Sequence, residues 1–471
     1  MAGLLVSTLG CLPETEGPVE TPRPNIILIV LDTTRADILS AYGYAKETSP
    51  NLASLAHEGI LFEQATSTDF WTLPAHASLL TGQYPSDHNA TSETNLLQPG
   101  VRTLAESLSA AGYKTQAYVS NAWIGAERGF DQGFDGFVET WKTGGLQGSE
   151  FGLDRAAIEG AEAWIAERDP LGEEFFLFLN LNSAHMPYSP DPMVLADLSP
   201  GPRSIERTRR LRMLKGMWAY LGGDFELDAK DFAILRELYE AEIAMLDALV
   251  GRLVDFLRAR EILDETLVIV TSDHGENLGD HGMIDHLLSM YQTTTRVPLI
   301  MRHPPSFSPG RRSQNVVSLV DIVPTVLDIA GLADLYPELS GGSLVSPRHS
   351  PERAVFAEND RPLNGIDLMR ANYPDFDLAT IDGRMRMIRT HQYKLIWKED
   401  GSTELFDLIA DPEELDDLSE QAPELREKLL ARLRSWMTSQ ELGGGGNAEP
   451  QRMQVMDPET RQQLRSLGYI E

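Results

Sequence analysis

Asn25-Ile26-Ile27-Leu28-Ile29-Val30-Leu31 runs straight into Asp32-Thr33-Thr34-Arg35-Ala36-Asp37. A run of Ile, Leu and Val with no alternation of polar residues predicts a strand buried on both faces, as in the central sheet of an α/β protein. The abrupt change to acidic and hydroxyl side chains puts polar groups at the carboxyl end of that strand, where open α/β sheets bind ligands. Similar runs recur at Thr115–Val119, Phe175–Leu181, Thr266–Val270 and Val297–Met301. Between them lie amphipathic stretches at Thr103–Ala111, Leu153–Glu167, Ala229–Arg260 and Asp321–Ala330. Alternating strands and helices predict an α/β fold with helices on both faces of a mainly parallel sheet.

Past residue 345 the pattern changes. Met385–Trp397, Glu404–Leu408 and the helical stretch Pro423–Thr438 predict a small C-terminal α+β subdomain over residues 346–442, after a large unit over residues 25–345. Residues 443–471 open with the glycine run Gly443–Gly446, a flexible hinge before a terminal peptide. Residues 1–24 divide at Cys11, the only cysteine, into a short apolar segment and a Pro- and Glu-rich tether. That arrangement resembles a bacterial lipoprotein signal, and implies an extracytoplasmic protein, either anchored through Cys11 or periplasmic or secreted. A single cysteine allows no intrachain disulfide. The formal charge of -31 argues against nucleic-acid partners, because such an excess of Asp and Glu repels phosphate backbones.

The polar strand ends supply the chemistry. Asp32 follows the first strand, Ser272-Asp273-His274-Gly275-Glu276 follows the run near residue 270, and Asn182 and His185 follow Phe175–Leu181. Carboxylates and an imidazole gathered at one sheet edge form a usual mixed shell for a divalent metal. A further element is Trp71-Thr72-Leu73-Pro74-Ala75-His76-Ala77-Ser78, continuing to Gly82, in which a hydroxyl precedes a proline turn and a helix. A nucleophile there would sit where backbone N–H groups and the helix dipole favour an oxyanion. A threonine in that position also suits a helix N-cap.

Taken in order, Asp32 to Asp37, Thr72 to Gly82, Ser272 to Gly282, Arg296-Val297-Pro298-Leu299-Ile300, Ser318 to Thr325, Gly383 to Ile396, Glu404 to Pro412 and Asp457 to Ile470 resemble the motifs of the sulfatase family within the alkaline phosphatase superfamily. The resemblance covers nearly everything after residue 24. It implies an alkaline-phosphatase-like three-layer sandwich and a metal-dependent hydrolase of sulfate or phosphate esters. Typical sulfatases carry a cysteine or serine, converted to formylglycine, in Cys-x-Pro-x-Arg. Here the stretch is Thr72-Leu73-Pro74-Ala75-His76, and threonine cannot become that aldehyde. The likeness therefore extends to relatives that use unmodified threonine on phosphorus. The lysine expected after Gly112-Tyr113-Lys114-Thr115 is missing where the chain reads Ser120-Asn121, and His286 stands where a second lysine is expected.

By this resemblance Asp32, Asp273 and His274 hold one divalent metal together with the Thr72 oxygen, and Thr72 attacks to give a covalent intermediate. Manganese or zinc is favoured by the imidazole ligand, with calcium or magnesium compatible. His185, in a His-x-Pro element, is expected to protonate the leaving group. His286 and His281 are candidates for oxyanion contacts. Thr33, Arg35, Asp37 and His76 are expected to brace the metal loop or the Thr72 loop. Substrates implied are small molecules, glycans or lipid headgroups bearing a sulfate or phosphate ester. A phosphodiesterase or phosphonate hydrolase, a headgroup phosphotransferase and a silent binding homologue are the alternatives. Trp123, Trp141 and Trp218 lie in loops expected to shape the pocket, where they either stack on a substrate ring or pack the core.

Overall fold

The computed structural model describes residues 23–143, 150–168, 172–214, 216–335, 339–345, 352–443 and 456–466. The lipoprotein-like segment with Cys11, and residues 444–446 of the glycine hinge, lie outside these residues.

Asn25–Leu31 is a strand buried along its whole length, in the centre of a nine-stranded sheet. It pairs in parallel with Phe175–Leu181 on one side and Thr266–Thr271 on the other. The sheet continues from Phe175–Leu181 through Lys114–Val119 to Gly136–Glu139, again in parallel. On the other side Leu299–Arg302 runs antiparallel between Thr266–Thr271 and Ile60–Thr66, and Arg311–Ser318 closes that edge in parallel with Ile60–Thr66. The expected mainly parallel α/β sheet is present.

Side chains alternate across a strand, so the central strand feeds two cores. Ile26, Leu28 and Val30 join one apolar cluster with Leu73, Ala77 and Val326, from the helices Thr72–Thr81 and Ile322–Ile329. Ile27, Ile29 and Leu31 join the other with Leu55, Ala161 and Leu246, from the helices Pro50–Glu58, Glu150–Ala166 and Ala229–Ala259. Two helical layers around one sheet make the three-layer sandwich. The 31-residue helix starts at Asp228, whose carboxylate accepts from the backbone N–H groups of Lys230 and Asp231, while Asp231 returns a bond to the Asp228 N–H. That reciprocal cap satisfies donors that a helix N-terminus otherwise leaves bare.

The C-terminal region forms a separate four-stranded antiparallel sheet, in the order Val355–Asn359, Met385–Arg389, Tyr393–Lys398 and Thr403–Asp407. The helix Pro423–Gly443 covers it through Leu429, Leu430 and Leu433. Met385–Trp397, expected as one run, is a hairpin. Thr390 turns the chain by donating its backbone N–H to the Tyr393 carbonyl at 2.8 Å, and its hydroxyl accepts from the Tyr393 N–H at 2.9 Å. Val297–Met301 likewise breaks at Pro298, which has no N–H for a ladder. The short helix Pro458–Ser466 lies against the large unit, burying Leu464 and pairing Asp457 with Lys142 at 2.8 Å.

Candidate active site

Thr72 is the first residue of the Thr72–Thr81 helix, and the N-cap position falls to Trp71, which makes no side-chain cap bond. The threonine therefore does not spend its hydroxyl as a helix cap. It is fully buried, and its Oγ1 lies 3.3 Å from His274 Nε2. His274 Nδ1 is 3.0 Å from the carbonyl of Gly275, a partner that only an N–H can satisfy. The lone pair is thereby placed on Nε2, facing Thr72.

The same nitrogen is 3.1 Å from Asp273 Oδ2. Two acceptors at that separation repel unless a cation or proton stands between them. Asp32, Asp273 and His274 each present a ligand atom within 4.8 Å of the others, all in buried side chains. Asp32 Oδ1 and Asp273 Oδ2 are buried with no aligned hydrogen-bond donor, although the His76 ring also approaches Asp273 Oδ2 at 3.3 Å. Buried carboxylate oxygens left bare are costly. Burial and then Asp273 push the Asp32 carboxyl up to about 6. A divalent cation fits these bare atoms and this excess of acceptors.

The rest of each carboxylate is fixed. Asp32 Oδ2 accepts from Asn121 Nδ2 at 2.9 Å and Asn180 Nδ2 at 3.0 Å. Asp273 Oδ1 accepts from the backbone N–H groups of Thr33 at 3.1 Å and His274 at 2.9 Å. Thr33 has φ of 57°, a left-handed conformation uncommon for a β-branched residue. Tyr239 holds it there, its hydroxyl donating to the Thr33 carbonyl and accepting from the Arg35 N–H, both at 2.8 Å. His76 does more than steady its helix. Its Nδ1 lies 2.9 Å from the Thr72 carbonyl, and its Nε2 accepts from Asn180.

Two more imidazoles face this centre. The His286 ring is 4.3 Å from that of His274 and 5.1 Å from that of His185. His286 Nδ1 is aimed by Asp285 Oδ1 at 2.8 Å and Glu276 Oε2 at 3.1 Å. Burial disfavours a charged His286, but Asp285 and Glu276 override it and raise the ring well above its ordinary value. Burial, and then His286, push His185 down to about 3.

A model of the sulfatase family matches residues 24–332, and a model of the C-terminal region of N-sulphoglucosamine sulphohydrolase matches residues 279–440. The chain belongs to the sulfatase family. It is an ester hydrolase by that membership. Arylsulfatase K of Canis lupus familiaris is 26% identical over 461 residues, covering 88% of this chain and 82% of that relative. N-acetylglucosamine-6-O-sulfatase of Bacteroides thetaiotaomicron is 25% identical over 473 residues, covering 85% of this chain and 83% of that relative. The solved phosphonate monoester hydrolase of Agrobacterium radiobacter superposes with a TM-score of 0.69 at 23% identity, over 89% of this chain and 96% of that one, a likeness of fold.

Within this sulfatase fold, Arg35 and Asp37 sit behind the turn that carries Asp32. The buried Arg35 guanidinium donates to Asp37 at 2.7 and 2.9 Å, to Asp280 at 2.6 Å and to the Glu276 carbonyl at 3.0 Å. His281, expected among the oxyanion contacts, is placed elsewhere. It stacks on Tyr291 at 3.7 Å and lines a separate polar pocket with Arg35, Asp37 and Asp280. Trp123 and Trp218 line a cleft beside Thr72 together with Trp71, and Trp141 is not among its lining residues. Asn121, Asn180, Glu276 and Asp285 were not singled out by sequence. Asn180 carries a signal, as the only polar side chain in the Phe175–Leu181 strand.

Proposed function

We propose that this sulfatase-family hydrolase works as a one-metal enzyme with unmodified Thr72 as its nucleophile. The observation that carries the proposal is the buried Thr72 Oγ1, 3.3 Å from His274 Nε2 at a helix N-terminus and bound to no capping partner. Asp32, Asp273, His274 and Thr72 would hold the metal, with manganese or zinc favoured by the imidazole. When bound, that ion supplies Lewis-acid stabilisation of the threonine oxygen and of charge on the transferred group. Thr72, its hydroxyl proton released to solvent, attacks sulfur or phosphorus in line, its Oγ1 bond forms as the bond to the leaving oxygen breaks, and water then cleaves the covalent threonine ester as the threonine oxygen takes a proton back.

The histidines divide the proton work. His286, kept protonated by Asp285 and Glu276, is the better donor to the leaving oxygen from its Nε2. This changes the role expected for His185 from its motif, because burial and His286 keep that ring neutral. A neutral His185 suits the second step, as acceptor of the proton from the attacking water. His76 and Asn180 orient the Thr72 helix and Asp32, Thr33 orients Asp273, and Arg35 with Asp37 braces the loop.

Asn121, reached where the family's lysine is missing, gives Asp32 a neutral donor. With one divalent ion against two carboxylates, the centre suits a singly charged group, as in a sulfate monoester, a phosphate diester or a phosphonate monoester, over a phosphate monoester dianion. The relatives named for sulfated sugars and the phosphonate hydrolase of the same fold keep both atoms in the proposal. An extracytoplasmic site of action, with Cys11 as a lipid tether, belongs to the same proposal. The test is a panel of aryl sulfate, phosphate mono- and diester and phosphonate monoester, with each metal and with Thr72→Ala. Turnover of a singly charged ester, lost in the variant, supports it. No turnover with any metal, or an undiminished variant, overturns it.

A further inference from the structure

The C-terminal subdomain reaches toward the reacting centre through two buried charges. Lys394, on the strand Tyr393–Lys398, and Glu414, in the turn that follows the strand Thr403–Asp407, are both buried, and Lys394 Nζ lies 2.8 Å from Glu414 Oε1. The cost of taking two charges out of water is offset only where further hydrogen bonds meet their remaining atoms. Those bonds come from the large unit, and from a single turn of helix, Gln292–Thr295. Glu414 Oε2 accepts from the Gln292 N–H at the start of that turn, and Lys394 Nζ donates to Thr295 Oγ1 at its end, at 3.3 Å. Glu414 does this from a left-handed backbone, with φ of 57°, a conformation uncommon outside glycine.

The carbonyls of the same turn hold the segment that carries Asp273 and His274. The Thr294 carbonyl accepts from the Gly275 N–H at 2.7 Å, and the Thr293 carbonyl from the Glu276 N–H at 3.0 Å. A Cβ on Gly275 would come within 2.0 Å of the Thr293 oxygen, so the two stretches meet this closely only at a glycine. The Thr295 carbonyl accepts from the Ser67 N–H at 2.8 Å, and the Ser67 hydroxyl donates to the Asp273 carbonyl. Gly275 is also the residue whose carbonyl fixes His274 Nδ1, and Glu276 the one whose carboxylate aims His286.

We infer that Lys394 and Glu414 are positioning residues of this hydrolase: through the Gln292–Thr295 turn they set residues 273–276, and with them the His274 imidazole. Neither residue touches the reacting atoms. The small subdomain thereby becomes part of the catalytic apparatus, because an ion pair on its own strand and turn decides how firmly a segment of the large unit is held. The inference rests on Asp273 and His274 being the metal donors proposed for this enzyme.

Hydrogen exchange of the full chain, read by mass spectrometry on peptides spanning residues 270–280, tests the link without metal or turnover. Calorimetric titration of the same proteins with manganese or zinc tests its consequence. Glu414→Asp keeps a charge beside Lys394 and suits a left-handed backbone, but is one methylene too short to meet Lys394 and Gln292 together. Gln292→Pro deletes the N–H from the other side, at a first helical position after an extended Tyr291, where proline is tolerated. Each variant is expected to speed exchange of the Gly275 and Glu276 amides about tenfold and to weaken metal binding about tenfold. Leu433→Ala, which opens the core beneath the subdomain helix without touching the turn, should change neither. Native exchange at residues 275 and 276 in both variants, or an equal acceleration in Leu433→Ala, would overturn the inference. A native protein that takes up no metal would instead overturn the metal-site proposal, and the exchange rates would still decide this one.

Discussion

Thr72 Oγ1 and His274 Nε2 face each other at 3.3 Å, although Thr72 lies 202 residues before His274 in the chain. The sheet explains the encounter. Asn25–Leu31 pairs with Thr266–Thr271, so Asp32 and Asp273 leave adjacent strands at the same edge, and the Thr72 helix packs its N-terminus against them. His274→Ala removes a proposed metal donor and the neighbour of the threonine oxygen together. It is expected to abolish binding of zinc or manganese in calorimetry while leaving the circular dichroism spectrum unchanged.

Asp32 is oriented by amides and not by a cation. Asn121→Ala takes one of two donors from Asp32 Oδ2 and leaves the Asn180 bond. Loss of such an outer partner typically costs about 10- to 100-fold in metal affinity. A metal titration of the variant that matched the native protein would remove Asn121 from the account.

Arg35 joins Asp37, Asp280 and the Glu276 carbonyl from a buried position. Lysine offers one ammonium in place of a planar fork and cannot reach all three. Arg35→Lys is expected to lose about 2–4 kcal/mol of stability, because Asp280 and the Glu276 carbonyl are left under-supplied. Urea denaturation measures it, and a loss within about 0.5 kcal/mol, the range of ordinary surface changes, would contradict it.

Much of this was legible in the sequence. The Asn25–Leu31 strand and the long helix from Ala229 carry unbroken apolar patterns, and Asp32, Asp273 and His274 stand at strand ends where ligands gather. Ile60–Thr66 was hidden because half-buried Glu63 and Gln64 interrupt its apolar run. Arg311–Ser318 was hidden because its first half is largely exposed and polar at the sheet edge. Glu276 could not be tied to His286 by spacing, since a turn through Gly279 and Gly282 brings the two together, whereas Asp285 directly precedes His286. Charge on a histidine depends on such neighbours, and so the proposed division of work between His185 and His286 draws on the side chains around each ring.

Glu242 gives a pH dependence of stability. It is buried in the long helix, accepts from the Ser189 N–H at 2.7 Å, and burial pushes its carboxyl up to about 8. The folded protein therefore binds more protons than the unfolded chain between the ordinary glutamate value of about 4.3 and 8, and stability falls as pH rises through that window. Glu242→Gln keeps an acceptor for Ser189 without the charge. Its melting temperature should match the native protein near pH 4 and exceed it at pH 8, by on the order of 2–4 kcal/mol in stability. Parallel curves across the window would show that Glu242 does not titrate there.

The central claim is that Thr72 becomes covalently esterified during turnover. Rapid acid quench of the metal-loaded enzyme with a hydrolysed ester, followed by peptide mass spectrometry, reads this directly. The peptide containing Thr72 should carry a phosphoryl or sulfuryl group on the threonine at early times, and Thr72→Ala should show neither adduct nor turnover above about one thousandth of the native rate. An unmodified Thr72 peptide at every time point, together with a Thr72→Ala protein that keeps its rate, would contradict it.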